Sequence, residues 1–166
     1  VLLSFWKAGK PLIDPFCGSG TIPIEAAMIG RNIAPGRERS FAFEAWPDFP
    51  SELLHSVREA ADAARLGPLE ERIIGSDIDA RILQAGRDKA LRADVADDIH
   101  FQAKPLQAMN SKRRFGCLIT NPPYGLRLGR DDELEALYHS IPDVLRRLPT
   151  WSFYFLTAYP RFEQIV

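Results

Sequence analysis

The residues with the clearest capacity for chemistry follow an apolar run and are Asn121, Pro122, Pro123 and Tyr124. An exocyclic amine on an aromatic ring is a poor nucleophile because its lone pair is delocalised into the ring. The side-chain oxygen of Asn121 and the carbonyl of Pro122 could accept its two hydrogens, which would aim the lone pair at a methyl group. The two prolines restrict the backbone and so reduce the entropy lost on binding.

Tyr124 adds a flat ring on which an extruded base can stack, and Gly125 closes the motif. The four residues before Gly125 are therefore assigned a catalytic role in methylating a planar nitrogen. The alternative is a proline-rich β-turn that simply follows a strand.

A second motif begins where the apolar pair Leu12 and Ile13 stops at Asp14, and residues 18–20 form a glycine turn before a helix. Glycines let the backbone approach a ligand, and the N–H groups at a helix start attract electron-rich atoms. The Gly-x-Gly spacing lacks the third glycine of the dinucleotide pattern. Because an acid at the strand end repels a pyrophosphate but holds an ammonium, Asp14 favours S-adenosylmethionine over NAD. The alternative is an ordinary strand–turn–helix with a capping acid.

Asp77 ends another apolar run. In a doubly wound sheet its position lies beside the first strand at the carboxyl edge, where ligands bind. Its carboxylate could accept hydrogen bonds from both ribose hydroxyls, and Ile78 could cover one face of the adenine. The alternative is a surface acid that caps the next helix, a role that suits Asp79 better. The predicted cofactor-binding residues are Asp14, Pro15, Phe16, Cys17, Gly18, Ser19, Gly20, Thr21, Asp77, Ile78 and Asn121.

Apolar periodicity predicts alternating strands and helices. Strands are expected at residues 12–13, 72–77, 98–103, 115–120 and 151–157. Helices are expected at residues 1–8, 21–29, 51–66, 79–93 and 134–148. This alternation predicts an α/β fold with a parallel, doubly wound sheet. The short sequence after the fifth strand suggests that the sheet is truncated there.

Several finer expectations concern helix faces and ends. Ile22, Ala26 and Ile29 should share one face of the first long helix. Ser51 should cap the next helix, and Pro142 should kink or interrupt the last one. The stripe expected to be buried in the helix of residues 51–66 consists of Leu54, Val57, Ala61 and Ala64. Residues 30–50 form a long loop rich in arginine and aromatic residues, for which a functional role and simple packing are equally open.

The composition limits the function classes. A chain of 166 residues with 46% hydrophobic residues is long enough for one domain with a real core, and no apolar run could span a bilayer. Cys17 and Cys117 suggest reduced thiols in a cytoplasmic protein, and the scattered histidines give no metal-ligand spacing. The net charge of −1 argues against strong, unaided binding to a polyanion. The start without methionine suggests a domain taken from a longer chain.

Taken together, the motifs resemble those of the class I methyltransferases that act on amino groups. The main resemblances are Asp14-Pro-Phe-Cys-Gly-Ser-Gly-Thr21 and Asn121-Pro-Pro-Tyr124, with Glu25-Ala-Ala, Ile33-Ala-Pro-Gly36, Phe41-Ala-Phe-Glu-Ala-Trp46 and Gly75-Ser-Asp-Ile-Asp79. The chain is identified on these residues as similar to the THUMP-linked RNA guanine-N2 methyltransferases of ribosomal or transfer RNA, whose older label is N6-adenine-specific DNA methylase. The resemblance covers nearly the whole chain.

The resemblance implies a Rossmann-like class I methyltransferase fold, S-adenosylmethionine as cofactor, RNA as substrate and an N-terminal RNA-binding domain outside this chain. Residues 1–166 would be the methyltransferase domain alone, and this fragment could be inactive by itself. Two departures matter: residues 101–105 lack the acid that related enzymes place near the adenine, and the terminal antiparallel strands are missing. The rival functions are methylation of adenine N6 in DNA, methylation of a protein glutamine amide, and a catalytically inert RNA-binding module.

Overall fold

A computed structural model describes residues 1–37, 39–124 and 131–166, with only the backbone of Asp131. Within these residues one sheet contains five parallel strands in the order β3-β2-β1-β4-β5. The strands are β1 (Leu12–Asp14), β2 (Ile73–Asp77), β3 (Ile99–Ala103), β4 (Cys117–Thr120) and β5 (Ser152–Phe155). The helices are α1 (Thr21–Gly30), α2 (Ser51–Ala63), α3 (Ala80–Arg92), α4 (Asp131–Arg146) and α5 (Phe162–Ile165). Short 3₁₀ turns cover Leu2–Ser4, Ala42–Ala45, Ala96–Asp98 and Leu106–Ala108.

The sheet is covered by helices on both faces, which confirms the predicted doubly wound α/β fold. Leu12 and Ile13 are neighbours in β1 but pack into different cores, because successive strand residues point to opposite faces. Leu12 packs with residues of α1 and α3, whereas Ile13 packs with residues of α4. All residues of β1 and β4 are buried, as expected for central parallel strands.

The direction in which strands are added to the sheet reverses between β1 and β4. After β1 it builds outward to β2 and β3, and it then returns to add β4 and β5 on the other side. Ile13 is paired with Ile74 on one side and with Leu118 on the other. This switch opens a crevice beyond the carboxyl ends of the central strands, where ligands bind in such sheets.

The predicted face of α1 is covered only in part. Ala26 is buried and Ile22 packs against the core, but Ile29 is 41% exposed, and Pro23, Ile24 and Ala27 are also buried. Apolar residues occur on every side of this helix, so periodicity could not orient it, and packing against the sheet decided which side is buried.

The prediction for α2 is wrong in its packing. No residue of α2 is buried, and Val57 in the expected stripe is 56% exposed. The helix ends at Ala63, and Pro50 rather than Ser51 occupies the N-cap position. Among the described residues, none of α2 belongs to either of the two buried clusters that cover the sheet.

Two other expectations are corrected at the chain start and in α4. Instead of a helix over residues 1–8 there is one 3₁₀ turn, and only Trp6 of the large apolar residues there is buried. Its indole N–H donates to the carbonyl of Lys10 at 2.9 Å. Pro142 lies inside α4 without interrupting it. None of the helices in the described ranges is both long enough and apolar enough to cross a membrane.

Replacing Gly116 by alanine should lower the free energy of unfolding. A Cβ atom there would lie 2.7 Å from three ring atoms of the buried Trp151, so the strand or the ring would have to move. Overpacking of this kind costs about 1–3 kcal/mol. Urea denaturation measures the change.

Gly67→Ala is the matched control, because no atom lies within 4 Å of its added Cβ. It should leave the free energy of unfolding unchanged or raise it by up to about 1 kcal/mol, because alanine lowers the conformational entropy of the unfolded chain. Equal unfolding midpoints for Gly116→Ala and the wild-type protein would contradict the packing described for Trp151.

Candidate active site

A cavity of about 710 Å³ opens at the crevice beyond the carboxyl ends of the central strands. Its volume falls in the range of about 300–1,000 Å³ that is usual for small-molecule sites. The predicted site residues on its wall are Phe16, Gly18, Asp77, Ile78, Asn121 and Pro123. The wall residues that were not predicted are Asp79, Ile82, Leu106, Gln107, Glu133, Ala136 and Leu137. The structure therefore brings Asp77 and Asn121 to one cavity with the loop that follows β1, whereas Asp14, which was expected on the same wall, is absent from it.

The glycine turn is fastened to the end of β2. The N–H of Cys17 donates to the carbonyl of Ser76 at 2.9 Å, and the N–H of Gly18 donates to Oδ2 of Asp77 at 3.0 Å. The N–H of Gly20 donates back to the carbonyl of Cys17 at 2.8 Å. These three donors therefore hold the turn in place and are not free to bind a ligand.

Gly20 is required by both its conformation and its surroundings. Its φ is +83°, a region that other residues rarely adopt, and an added Cβ would lie 2.8 Å from the ring of Phe101. Phe101 comes from β3, where it is buried under the turn. No sequence pattern indicates that this phenylalanine supports the turn, because the two are far apart along the chain.

Asp14 is 1% exposed. It is not among the described residues that line the cavity. Its Oδ1 accepts hydrogen bonds from the N–H of Phe16 at 3.1 Å and from the hydroxyl of Thr120 at 2.5 Å. Burial raises the pKa of Asp14 to about 7, although the two hydrogen bonds oppose this rise and the charge of Asp77 adds to it. Asp14 therefore links the ends of β1 and β4 through these hydrogen bonds, and its contact with a ligand ammonium stays a prediction.

Asp77 lies on the cavity wall with one hydrogen bond to each carboxylate oxygen. Oδ2 accepts from Gly18 and Oδ1 accepts from the N–H of Asp79, each at 3.0 Å. A carboxylate has about four acceptor positions, so two remain for ligand hydroxyls. Ile78, beside it, is 72% exposed on the same wall. Asp79 caps α3 as predicted, since Oδ1 accepts the N–H of Arg81 at 2.9 Å.

The motif after β4 presents Asn121 to the cavity as an exposed side chain. Pro123 also contributes to the wall, whereas Pro122 is buried, and Tyr124, 44% exposed, does not line the cavity. Gly125, the end of the predicted motif, is outside the described residues. The amide of Asn121 and the carboxylate of Asp77 thus share one cavity although they are on different strands.

A chain of hydrogen bonds supports this motif from α4. The hydroxyl of Tyr138 is 3.1 Å from the carbonyl of Pro123 and 2.9 Å from the hydroxyl of Thr157, which also accepts the N–H of Tyr159 at 3.1 Å. Because a carbonyl only accepts, Tyr138 must donate to Pro123, and Thr157 must then donate to Tyr138. Burial raises the pKa of Tyr138, so it keeps this proton.

Tyr138 was not among the predicted site residues. A signal was present, because a tyrosine in a buried stripe needs a partner for its hydroxyl. Its ring also stacks on Tyr159 with centroids 4.4 Å apart. The residue therefore joins the loop after β4 to the loop after β5.

The other residues predicted to bind the cofactor contribute to packing or to the turn and the start of α1. Cys17 is buried, and burial together with the nearby carboxylates of Asp14 and Asp77 raises the pKa of its thiol well above the ordinary range. A neutral, buried thiol is a packing group and not a nucleophile. The hydroxyl of Ser19 accepts from Nζ of Lys89 at 2.7 Å. Pro15 is buried and Thr21 begins α1 with its side chain exposed.

Comparison with known proteins gives the family. Over residues 1–166 the sequence matches the family described as UPF0020: RMKL-like, methyltransferase domain. The chain belongs to this family. The match confirms the resemblance inferred from the sequence, the class I methyltransferase fold and S-adenosylmethionine as the cofactor of the domain. No group of three or more potential metal ligands occurs among the residues that the structure describes.

Two curated relatives illustrate the similarity. "Putative RNA methyltransferase YpsC" of Bacillus subtilis is 38% identical over 164 residues, which are 99% of this chain and 43% of that protein. "Ribosomal RNA large subunit methyltransferase K/L" of Vibrio cholerae is 46% identical over 144 residues, which are 83% of this chain and 20% of that protein. The chain thus spans less than half the length of these relatives.

Solved structures show the same fold. The structure titled "Crystal structure of SMU.472, a putative methyltransferase complexed with SAH" is 42% identical and superposes with a TM-score of 0.92. The structure titled "The crystal structure of a possible methylase from Clostridium difficile 630" is 41% identical, with a TM-score of 0.93. Each match covers 98% of this chain and 43% of the solved chain.

Asp14→Asn should change how stability depends on pH. The folded pKa of about 7 lies above the ordinary value of 3.8, so the folded state holds a proton that the unfolded chain releases between these pH values. This contribution is complete below pH 3.8 and is lost as the pH rises through about 7. The stability of the wild type relative to Asp14→Asn should therefore fall by on the order of 4 kcal/mol between about pH 4 and pH 7.

Urea unfolding of both proteins at several pH values measures this difference. Asparagine keeps an oxygen for the Phe16 and Thr120 donors but does not titrate, so the comparison isolates the carboxyl. Parallel stability curves across this range would show that the buried carboxyl titrates normally.

Proposed function

We propose that the chain is the catalytic domain of an S-adenosylmethionine-dependent RNA methyltransferase whose target is guanine N2 of ribosomal or transfer RNA. The observation that carries the proposal is the common cavity shared by Asp77 and Asn121. One residue suits the ribose of a nucleoside cofactor and the other suits a planar amino group. The names of the relatives support RNA as the substrate class.

The cavity residues fit the cofactor. Asp77 has two acceptor positions left for ribose hydroxyls, and Ile78 offers an exposed apolar surface for the adenine. Phe16, Leu106 and Leu137 extend the apolar wall. When bound, S-adenosylmethionine supplies a methyl group made electrophilic by its sulfonium.

The turn of residues 17–20 is already fixed before any ligand arrives. Its N–H groups are bonded to Ser76, Asp77 and Cys17, so little reorganisation is needed on binding. Asp14 acts behind this turn as a positioning residue, because its hydrogen bonds to Phe16 and Thr120 keep the ends of β1 and β4 together. Pro15, Ser19, Gly20 and Thr21 shape the turn and the start of α1.

Asn121 and the carbonyl of Pro122 are proposed to accept the two hydrogens of the target amine. Pro122 and Pro123 restrict this acceptor pair, and Tyr138 holds the carbonyl of Pro123. Tyr124 is exposed enough to stack on an extruded base. Because the bound cofactor would supply a methyl that is already electrophilic and would leave as S-adenosylhomocysteine, these residues would mainly orient the amine, and the site needs no strong general base.

The finer assignments are also part of the proposal. Residues 1–166 are proposed to form one methyltransferase domain of a longer cytoplasmic protein, in which another domain contributes most of the RNA affinity. The near-neutral charge of this chain supports that division of labour. Adenine N6 of DNA and a protein glutamine amide remain the rival targets, because a motif of this type suits any planar nitrogen.

Asp77→Ala in the full-length protein should weaken cofactor binding by about 10- to 100-fold. It removes a charged acceptor and also releases the N–H groups of Gly18 and Asp79. Calorimetric titration with S-adenosylhomocysteine measures the affinity. The control is Asp97→Ala, an exposed acid in the 3₁₀ turn Ala96–Asp98 that does not line the cavity. Equal affinities for both variants would remove Asp77 from the cofactor site.

Asn121→Ala should lower the methylation rate by about two orders of magnitude, the scale of losing one transition-state contact. Cofactor affinity should stay nearly unchanged. The test is mass spectrometry of RNA nucleosides from a strain that lacks the gene, complemented with the wild type, Asn121→Ala or Asn110→Ala. Asn110 is an exposed asparagine away from the cavity.

The wild type and the Asn110→Ala control should restore N2-methylguanosine, whereas Asn121→Ala should not. Unchanged RNA nucleosides in the deletion strain would reject RNA as the substrate. Absence of S-adenosylhomocysteine binding by the wild type would instead favour the inert module.

A further inference from the structure

Two small concavities lined by arginine lie away from the cofactor cavity. They measure about 190 and 250 Å³ and share Arg37 and Arg39. Arg92, from the end of α3, lines the first, and Arg58 of α2 lines the second together with Ser40. No described residue on either wall is acidic; Glu38, between the shared arginines in the sequence, is outside the described residues. We call these two concavities with Trp46 the arginine surface.

The arginines of this surface differ in their ion-pair and hydrogen-bond partners. Arg58 pairs with Glu44 at 3.0 Å, and Arg37 pairs with Asp62 at 3.4 Å. Arg39 has no carboxylate of the described residues within ion-pair distance, and its guanidinium lies 5.9 Å from the centre of the Phe41 ring. Arg92 donates only to the backbone carbonyl of Asp88 among the described groups. Arg39 and Arg92 therefore keep charge and N–H donors available for an anion.

Aromatic rings continue the surface beside Arg39. Phe41 and Phe43 stack with ring centroids 5.2 Å apart. Trp46 and Phe43 meet edge to face, with ring centroids 6.5 Å apart. Trp46 is 67% exposed, whereas Trp6 and Trp151 are buried. An indole that stays in water on a packed aromatic base offers a face for stacking.

The arginine surface is separate from the cofactor cavity. Ile82 lies on the cavity wall and Arg92 lines the first concavity, and both belong to α3. Their separation along the helix axis is about 15 Å at 1.5 Å per residue. A ligand on the arginine surface is therefore not the cofactor or the target base itself.

We propose that the arginine surface binds the sugar–phosphate backbone of the RNA substrate, with one of its bases stacked on Trp46. The proposal rests on the proposed function, because it needs an RNA substrate. Guanidinium groups bind phosphate through paired hydrogen bonds, and rings beside them are typical of single-strand binding. In a chain with a net charge of −1, the charges of Arg39 and Arg92, which no described carboxylate pairs with, supply the attraction to a polyanion.

The salt dependence of RNA binding tests the phosphate contacts. The probe is a fluorescein-labelled single-stranded RNA of mixed sequence, titrated with the full-length protein by fluorescence anisotropy at several salt concentrations. The variant Arg39→Gln/Arg92→Gln should bind at least about tenfold more weakly at low salt. The slope of log K against log salt should become shallower by about 1.4, because each single-strand phosphate contact contributes about 0.7.

The matched control is Arg114→Gln/Arg146→Gln, which removes the same charge from two exposed arginines outside the arginine surface. Its slope should remain that of the wild type. Equal slopes for the two double variants would overturn the proposal while leaving the methyltransferase assignment intact. A wild type that does not bind S-adenosylhomocysteine would reject the proposed function instead. A wild type that does not bind RNA would overturn both.

Trp46→Ala tests the stacking contact and should weaken RNA binding by about tenfold, whereas Trp46→Phe should retain most of the affinity. RNA should also quench tryptophan emission of the wild type by more than that of Trp46→Phe, since Trp6 and Trp151 are buried. Equal RNA affinity for Trp46→Ala and the wild type would remove Trp46 from the surface.

Discussion

The geometry of the site depends on a buried carboxyl group. Asp14 accepts the hydroxyl of Thr120 and the N–H of Phe16, so one side chain joins the end of β1, the end of β4 and the start of the glycine turn. Burying a carboxyl is unfavourable without partners, and here both donors come from the elements that must be aligned. The raised pKa of Asp14 reflects how completely this tie is removed from water.

Asp77 carries the second constraint from the neighbouring strand. Its carboxylate holds Gly18 on one side and the start of α3 on the other, and it still faces the cavity. The same group is thus part of the support for the turn and part of the proposed cofactor site. Tyr138 supports the third loop through Pro123, so each loop of the cavity has a partner from a different element. Such support keeps a site arranged before its ligand binds.

The local motifs were predictable because each is short and chemically unusual. A strand followed by Gly-x-Gly, an acid at the end of the next strand and an Asn-Pro-Pro-Tyr run each place polar groups after apolar strands. Parallel strands bring such ends to one edge, which accounts for the shared cavity of Asp77 and Asn121. The sequence pattern could not decide which way the side chain of Asp14 points, because an acid at a strand end can face either the ligand or the neighbouring strand.

The sequence alone determined the order of elements, the parallel sheet and the residues that meet at its carboxyl edge, because these follow from local periodicity and the handedness of strand–helix–strand connections. Tertiary structure alone decided which sides of α1 and α2 are covered, the place of Phe101 beneath Gly20 and the contact of Tyr138 with Pro123. Periodicity shows that a helix has an apolar side, but it does not show whether a partner surface is free to cover it. That outcome depends on which elements already occupy each face of the sheet.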